Sequence, residues 1–280
     1  AKTDFQFYSA RLDHEAELRV EIESAINKGI ENEEFLPYYQ PIVNALSFEL
    51  EKVEMLARWQ QSDQLVMPAQ FISIAEDANS ITKLSQQLLH QALPQFAKWL
   101  LVKPSLIMSI NISVLQLSEA NFTKQFVELV GEFGVPTKNI EIEVTESSLV
   151  SNIESMQKAL LQLQEMGFAI AIDDFGTGFS SLNYLKHLAF DTIKVDQSFV
   201  SDISGGKNNG DLAIVIVNMA QSLHVNCVAE GVENAMQAKV LSACGCQQMQ
   251  GYFFSQALSA QATTELIEQG KTINTIARIK

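Results

Sequence analysis

Apolar residues along the chain follow two alternating rhythms. One has helical spacing, as in residues 14–30, where Leu18, Ile22 and Ile26 recur every four positions. The other is a series of short apolar or alternating runs that read as strands. These cover 35–43, 47–59, 106–112, 139–145, 169–172, 191–196, 225–230 and 246–251, the first despite Pro37 and Pro41. Helical patterns occupy about 68–77, 81–101, 118–133, 151–166, 179–188, 210–223, 233–243 and 260–270. A short link joins the first two strands, so they can pair as a hairpin. Eight strands, most of them followed by a helix, predict an α/β fold of the modified TIM (β/α)8 barrel type, with the first strand antiparallel to the second. A doubly wound open sheet is the alternative, but no Gly-x-Gly-x-x-Gly follows the first strand. Residues 1–15 are expected to be a linker or the tail of a preceding domain, and residues 16–280 the barrel.

Strand parity sharpens this picture, because alternate side chains share a face. On one face Ile140, Ile142 and Val144 are apolar and suit packing against helices; on the other stand Glu141 and Glu143. Lys52 pairs with Glu54 in the same way, Ser109 with Asn111, Ala171 with Asp173, Thr192 with Lys194 and Asp196, Val228 with Glu230, and Gln248 with Gln250. In a barrel, Glu54, Asn111, Glu143, Asp173, Lys194, Glu230 and Gln250 would converge at the carboxyl ends of the strands, where barrel enzymes place their sites. The stretch AIAIDDFGTGFS (169–180) is the centre of the pattern: an apolar run ends in Asp173 and Asp174, and a turn bracketed by Gly176 and Gly178 follows. Two adjacent carboxylates repel unless they are solvated or a cation lies between them. Several acids and an amide oxygen make a hard, oxygen-rich set that favours Mg²⁺ or Mn²⁺ over zinc.

Composition narrows the partners. Of 280 residues 47% are hydrophobic, enough for one large core, and the formal net charge is −14, which excludes non-specific binding to DNA or RNA polymers. An anionic substrate would therefore depend on bound cations. Cys227, Cys244 and Cys246 lack paired spacing and read as reduced thiols of a cytoplasmic domain. His14, His90, His187 and His224 fall on helical patterns and carry no metal role.

With these residues in place, the chain resembles the EAL domain family over roughly residues 20–270. The naming motif reads Glu54-Met55-Leu56, followed by Arg58 and Trp59, with Met in place of the usual Ala. Tyr39-Gln40-Pro41, Asn111-Ile112-Ser113, Glu143-Val144-Thr145-Glu146, Asp173 to Gly178, Lys194-Val195-Asp196, Glu230 to Glu233 and Gln250-Gly251-Tyr252 match the family's other motifs.

The resemblance implies a phosphodiesterase that hydrolyses cyclic di-GMP to linear pGpG with two Mg²⁺ or Mn²⁺ ions. It implies Glu54, Asn111, Glu143 and Asp173 around the first ion. Asp173 would bridge to a second ion held with Asp174, and Glu230 would reach a metal directly or through water. Lys194 would orient or deprotonate the attacking water, Glu146 would brace the loop after Asp173, and Gln250 would hold the water or its neighbours. Gln40, Arg58, Asp196 and Glu233 would contact substrate. Taken singly, Lys194 with Asp196 also reads as a salt bridge, and Glu146 as a helix cap. Two other functions stay open at this point: a receptor that binds cyclic di-GMP without cleaving it, and a different barrel metallohydrolase. The resemblance further implies a homodimer through helices near the 174–188 loop and an N-terminal GGDEF or sensor domain. The domain would then be cytoplasmic, as part of an inner-membrane-anchored protein.

Overall fold

The structure is a computed structural model that describes residues 10–147, 153–178, 190–204, 211–270, 272 and 273. Its contacts divide the chain into two compact units, one formed by the chain up to Leu36 with Ala57–Leu89, the other by Pro37–Leu56 with His90 onward.

The second unit holds the barrel. β1 (Phe35–Asn44) enters it at Pro37, and β2 (Leu50–Gln61) lies in it as far as Leu56. β4 (Ile107–Asn111), β5 (Ile140–Thr145), β6 (Ala169–Phe175), β7 (Thr192–Val195), β8 (Asn226–Ala229) and β9 (Gln248–Gln250) follow; the short β3 (Gln64–Val66) belongs to the other unit. From β2 through β4 to β9 each neighbouring pair runs parallel. β1 pairs antiparallel with β9 and also pairs with β2, which closes the ring. The expected hairpin explains the reversal: Asn44 N donates to Glu49 O (2.9 Å), and Phe48 takes a left-handed φ of 56° in the turn. A link this short cannot make a parallel crossover.

Outward strand residues form the core against the helices. Val53, Met108, Ile110, Ile142, Ile172, Ile193, Val195 and Met249 are buried there. α8 (Asp211–Leu223) lies against β7 and β8, and α6 (Ile153–Glu165) against β6. α3 (Ile81–Val102) brings Phe96 and Trp99 into this core, and α10 (Ala260–Gln269) answers with Thr264, whose Oγ1 accepts from Trp99 Nε1 (2.8 Å). The remaining helices are α5 (Phe122–Glu132), α7 (Gln197–Ser201) and α9 (Ala235–Ala243). Among the described residues no helix is long and apolar enough to cross a membrane.

The helix expected at 118–133 is α5, and a separate short helix precedes it. α4 (Val114–Ser118) starts on a capping box between Ser113 and Gln116, and extended backbone at Glu119 ends it before α5 begins. The expected helix at 179–188 lies outside the described residues.

The first unit contains α1 (Ala10–Glu31). Its last turns pack near Trp59, which stacks on Phe35 (5.1 Å between centroids) and meets Phe71 edge-on. Trp59 Nε1 donates to Glu34 Oε2 at 2.9 Å. β3 folds back on the end of β2, with Trp59 opposite Val66. α2 (Ile72–Asp77) completes this unit.

Candidate active site

Parallel strands end together, and the ladders continue past them. Ile112 N donates to Glu143 O, Glu230 N to Val195 O, and Val232 N to Gln250 O, all near 3.0 Å. These bonds hold the ends of neighbouring strands, with their polar side chains, in fixed register. The inward side chains there are polar and buried: Glu54, Glu143, Asp173, Lys194 and Gln250 are each less than a tenth exposed.

Lys194 is the hub. Its Nζ lies 2.8 Å from Glu143 Oε2, 2.8 Å from Glu230 Oε1, 3.2 Å from Asp173 Oδ1 and 3.6 Å from Glu54 Oε1. Glu54 is held from both sides: Asn111 Nδ2 donates to its Oε1 and Gln250 Nε2 to its Oε2, each at 2.7 Å. Burial by itself would lower the lysine's pKa, but Asp173, Glu143, Glu230 and Glu54 outweigh it and hold the ammonium well above its ordinary range. The carboxylates divide. For Glu54, burial is overcome by Lys194 and by the amides of Gln250 and Asn111, and its pKa falls. Burial and neighbouring acids push Glu143 well up despite Lys194, and Glu230 is pushed up to about 8 by the same balance.

Asp173 and Asp174 sit where β6 loses its regular register against β7, between Ile172 and Phe175. Asp174 has φ 53°, and its N–H donates to Asp173 Oδ1 (2.9 Å). An ordinary strand would send the two side chains to opposite faces; the irregularity turns both toward the mouth. Asp173, Asp174 and Glu230 consequently offer oxygens within 4.8 Å of one another, as do Glu54, Glu143 and Asp173. The two triads share Asp173. Burial, Asp173 and Asp196 raise the pKa of Asp174.

The turn after Asp174 is fastened by Glu146, whose Oε2 accepts from Gly176 N (2.7 Å) and Gly178 N (3.4 Å). Gly176 has φ +98°, and a Cβ there would lie 2.7 Å from the Phe199 ring and 3.1 Å from Ile216. Only glycine lets this turn lie so close to α7 and α8. On the other side of the mouth, a Cβ on Gly251 would strike the Val232 backbone at 2.2 Å, so glycine also fixes the loop that carries Gln250.

The structure therefore brings Glu54, Asn111, Glu143, Asp173, Asp174, Lys194, Glu230 and Gln250 together, with Glu146 bound to the adjoining turn. Gln40 donates to Ser255 O at 3.3 Å. Asp196 caps α7, accepting from Ser198 N (3.0 Å) and Ser198 Oγ. Glu233 is exposed, and its N–H donates to Gln237 Oε1. Arg58 belongs to the first unit, where its Nη1 donates to Ala57 O (2.8 Å).

The donor set fits divalent cations. All the donors are hard oxygens, two carboxylate triads share a member, and Glu143 Oε1 is buried without a partner. A buried carboxylate oxygen with no donor is costly unless a cation supplies its counter-charge.

An acidic, lysine-centred mouth on a barrel with one reversed strand defines a class of barrel domain whose carboxylates could hold a metal ion. The chain belongs to the EAL domain family, whose model matches residues 23–257. It is 34% identical to the uncharacterized protein sll1895 of Synechocystis sp., covering 94% of this chain and 38% of that protein. To the cyclic di-GMP phosphodiesterase NbdA of Pseudomonas aeruginosa it is 33% identical, over 95% of this chain and 34% of that protein. The chain thus spans little more than a third of these curated relatives. Among solved structures it resembles the EAL enzyme Bd1971 in its cAMP- and cyclic-di-GMP-bound form, with TM-score 0.86 and 32% identity over 90% of this chain and 70% of that one. The PaMucR phosphodiesterase in complex with c-di-GMP gives TM-score 0.83 and 29% identity over 87% of this chain and 99% of that one.

Proposed function

We propose that this chain hydrolyses cyclic di-GMP to linear pGpG with two divalent cations, Mg²⁺ or Mn²⁺. The observation that carries the reading is the pair of carboxylate triads sharing Asp173 around one buried lysine. Similarity to proteins named as cyclic di-GMP phosphodiesterases supports the choice of substrate. Glu54, Asn111, Glu143 and Asp173 would hold one cation, and Asp173, Asp174 and Glu230 the other. When bound, such ions activate water and offset charge on a phosphodiester.

The chain's own residues do the rest. Gln250 and Asn111 fix the Glu54 carboxylate from two sides. Glu146 holds the turn that sets Asp174. Lys194 stays an ammonium among these acids, so we assign it to holding the carboxylates and attracting the incoming oxygen rather than taking a proton from it. Gln40, Arg58, Asp196 and Glu233 are proposed substrate contacts, with Arg58 near phosphate.

The complete acidic set argues against a receptor that binds without cleaving. The test is pGpG formation by the purified chain with Mg²⁺ or Mn²⁺, with chelator, and by Glu54→Ala. Metal-dependent product from the wild type alone supports the proposal. Tight cyclic di-GMP binding with no product under any metal would make the chain a receptor.

We further propose a homodimer through the helices beside the 174–188 loop. The exposed Leu212 and Val215 on α8 support it. Residues 1–15 are proposed to lead from an N-terminal GGDEF or sensor domain of a longer, membrane-anchored protein.

A further inference from the structure

A second polar layer lies one step deeper in the barrel. Both Glu141 oxygens accept two bonds: Oε1 from Lys52 Nζ (2.7 Å) and Thr192 Oγ1 (2.7 Å), Oε2 from Lys52 Nζ (2.8 Å) and Ser109 Oγ (2.9 Å). All four residues are at most 3% exposed. Barrel interiors are ordinarily filled at this depth by branched apolar side chains.

Each member stands two residues before a member of the site on the same strand and face. Lys52 precedes Glu54, Ser109 precedes Asn111, Glu141 precedes Glu143, and Thr192 precedes Lys194. Along a strand that is a separation of about 6.6 Å. The ties also cross the barrel: β4 separates β2 from β5, and β6 separates β5 from β7. Backbone ladders fix a strand only against its neighbours, whereas the Lys52–Glu141 and Thr192–Glu141 bonds fix strands two places apart. The strands so tied carry Glu54, Glu143 and Lys194, which meet directly above.

Stability alone does not account for such a layer, since a buried ion pair is often no better than well-packed apolar residues of similar volume. Hydrogen bonds add direction, which apolar contact lacks. The pair also carries no net charge, so it adds little repulsion to the acids above it.

We infer that Lys52 and Glu141 are positioning residues: their cross-barrel ion pair, completed by Ser109 and Thr192, sets the spacing of the strands that present the cation-binding carboxylates. This rests on the cation-dependent reading of the site.

The test compares the wild type with a Lys52→Met/Glu141→Leu double variant, which replaces the pair without leaving an unpaired charge. Melting temperature and Mn²⁺ affinity without nucleotide are measured on both, and then kcat and KM for cyclic di-GMP. Expected are a melting temperature near wild type, Mn²⁺ affinity lower by about tenfold, and kcat reduced with KM little changed. A folded double variant with wild-type Mn²⁺ affinity overturns the inference. If that variant does not fold, Ser109→Ala/Thr192→Val keeps the ion pair and removes two of its ties. A fall in its Mn²⁺ affinity supports the inference, and an unchanged affinity overturns it. Because Mn²⁺ binding is read without nucleotide, a wild type that binds Mn²⁺ yet leaves cyclic di-GMP intact would sink the hydrolase reading and leave this comparison standing.

Discussion

A single ammonium, that of Lys194, faces four largely buried carboxylates and offsets only part of their charge, and this makes the site's stability conditional. Removing one partner of a buried charge network leaves the others uncompensated, at a cost of about 3–5 kcal/mol. Lys194→Met is therefore expected to lower the melting temperature sharply in chelator and to recover most of the loss in Mn²⁺. Melts that are equally low with and without Mn²⁺ would contradict cation binding by these acids. Protons compete for the same oxygens. Glu230 has its pKa raised from 4.5 to about 8, so between those values the native state holds a proton that the unfolded chain has lost. Its contribution to the stability of the metal-free protein therefore shrinks as pH rises. Cations need the deprotonated carboxylate, so their affinity rises over the same window. The gain in melting temperature on adding Mn²⁺ is thus expected to grow from about pH 6 to about pH 8. A gain that shrinks over that interval would refute the assignment of Glu230.

Among the elements, the β6 end and its turn carry the most consequence. Glu146→Ala leaves Gly176 N and Gly178 N without their acceptor, at a cost of about 1–3 kcal/mol. Turnover is expected to fall about tenfold because Asp174 loses its support, with Glu146→Gln, which keeps an acceptor oxygen, recovering much of it. Equal kinetics for both variants would remove the bracing role. This element also shows what a sequence can and cannot convey. Alternation along 140–144 and 192–196 was enough to place Glu143 and Lys194 on the inner face, because regular strands obey parity. Asp174 breaks that rule: its convergence with Asp173 comes from a register shift and a left-handed residue, neither of which has a periodic signature. The separate helix α4 was missed because apolar spacing continues across Glu119 into α5, while the capping box at Ser113 that starts α4 is a local hydrogen-bond event. Lys52, Ser109, Glu141 and Thr192 were visible as inward positions, but their joint network depends on strands that touch only across the barrel. β3 is short enough to carry no pattern of its own.

At the scale of the whole molecule, the question is how an assembly could govern chemistry that lies wholly within one barrel mouth. α8 offers a route. Its buried Ile216 lies where a Cβ on Gly176 would touch it, so one face of the helix supports the turn that sets Asp174. Leu212, one turn before Ile216, and Val215, the residue before it, are each 59% exposed and flank that face. Covering them with a second copy would withdraw apolar surface worth about 1.5–3 kcal/mol per side chain, and would hold α8 against the turn. A Leu212→Glu/Val215→Glu variant touches no cation ligand. It is expected to sediment as a monomer where the wild type sediments as a dimer, with turnover at saturating Mn²⁺ lower by about tenfold, as befits loss of an outer support. Mn²⁺ affinity measured without nucleotide separates damage to the ligand set from loss of the turn's backing, since only the former should abolish it. A monomeric variant with undiminished turnover would uncouple α8 from the site, and a wild type that is monomeric at every concentration assayed would leave the exposed face without the partner proposed for it.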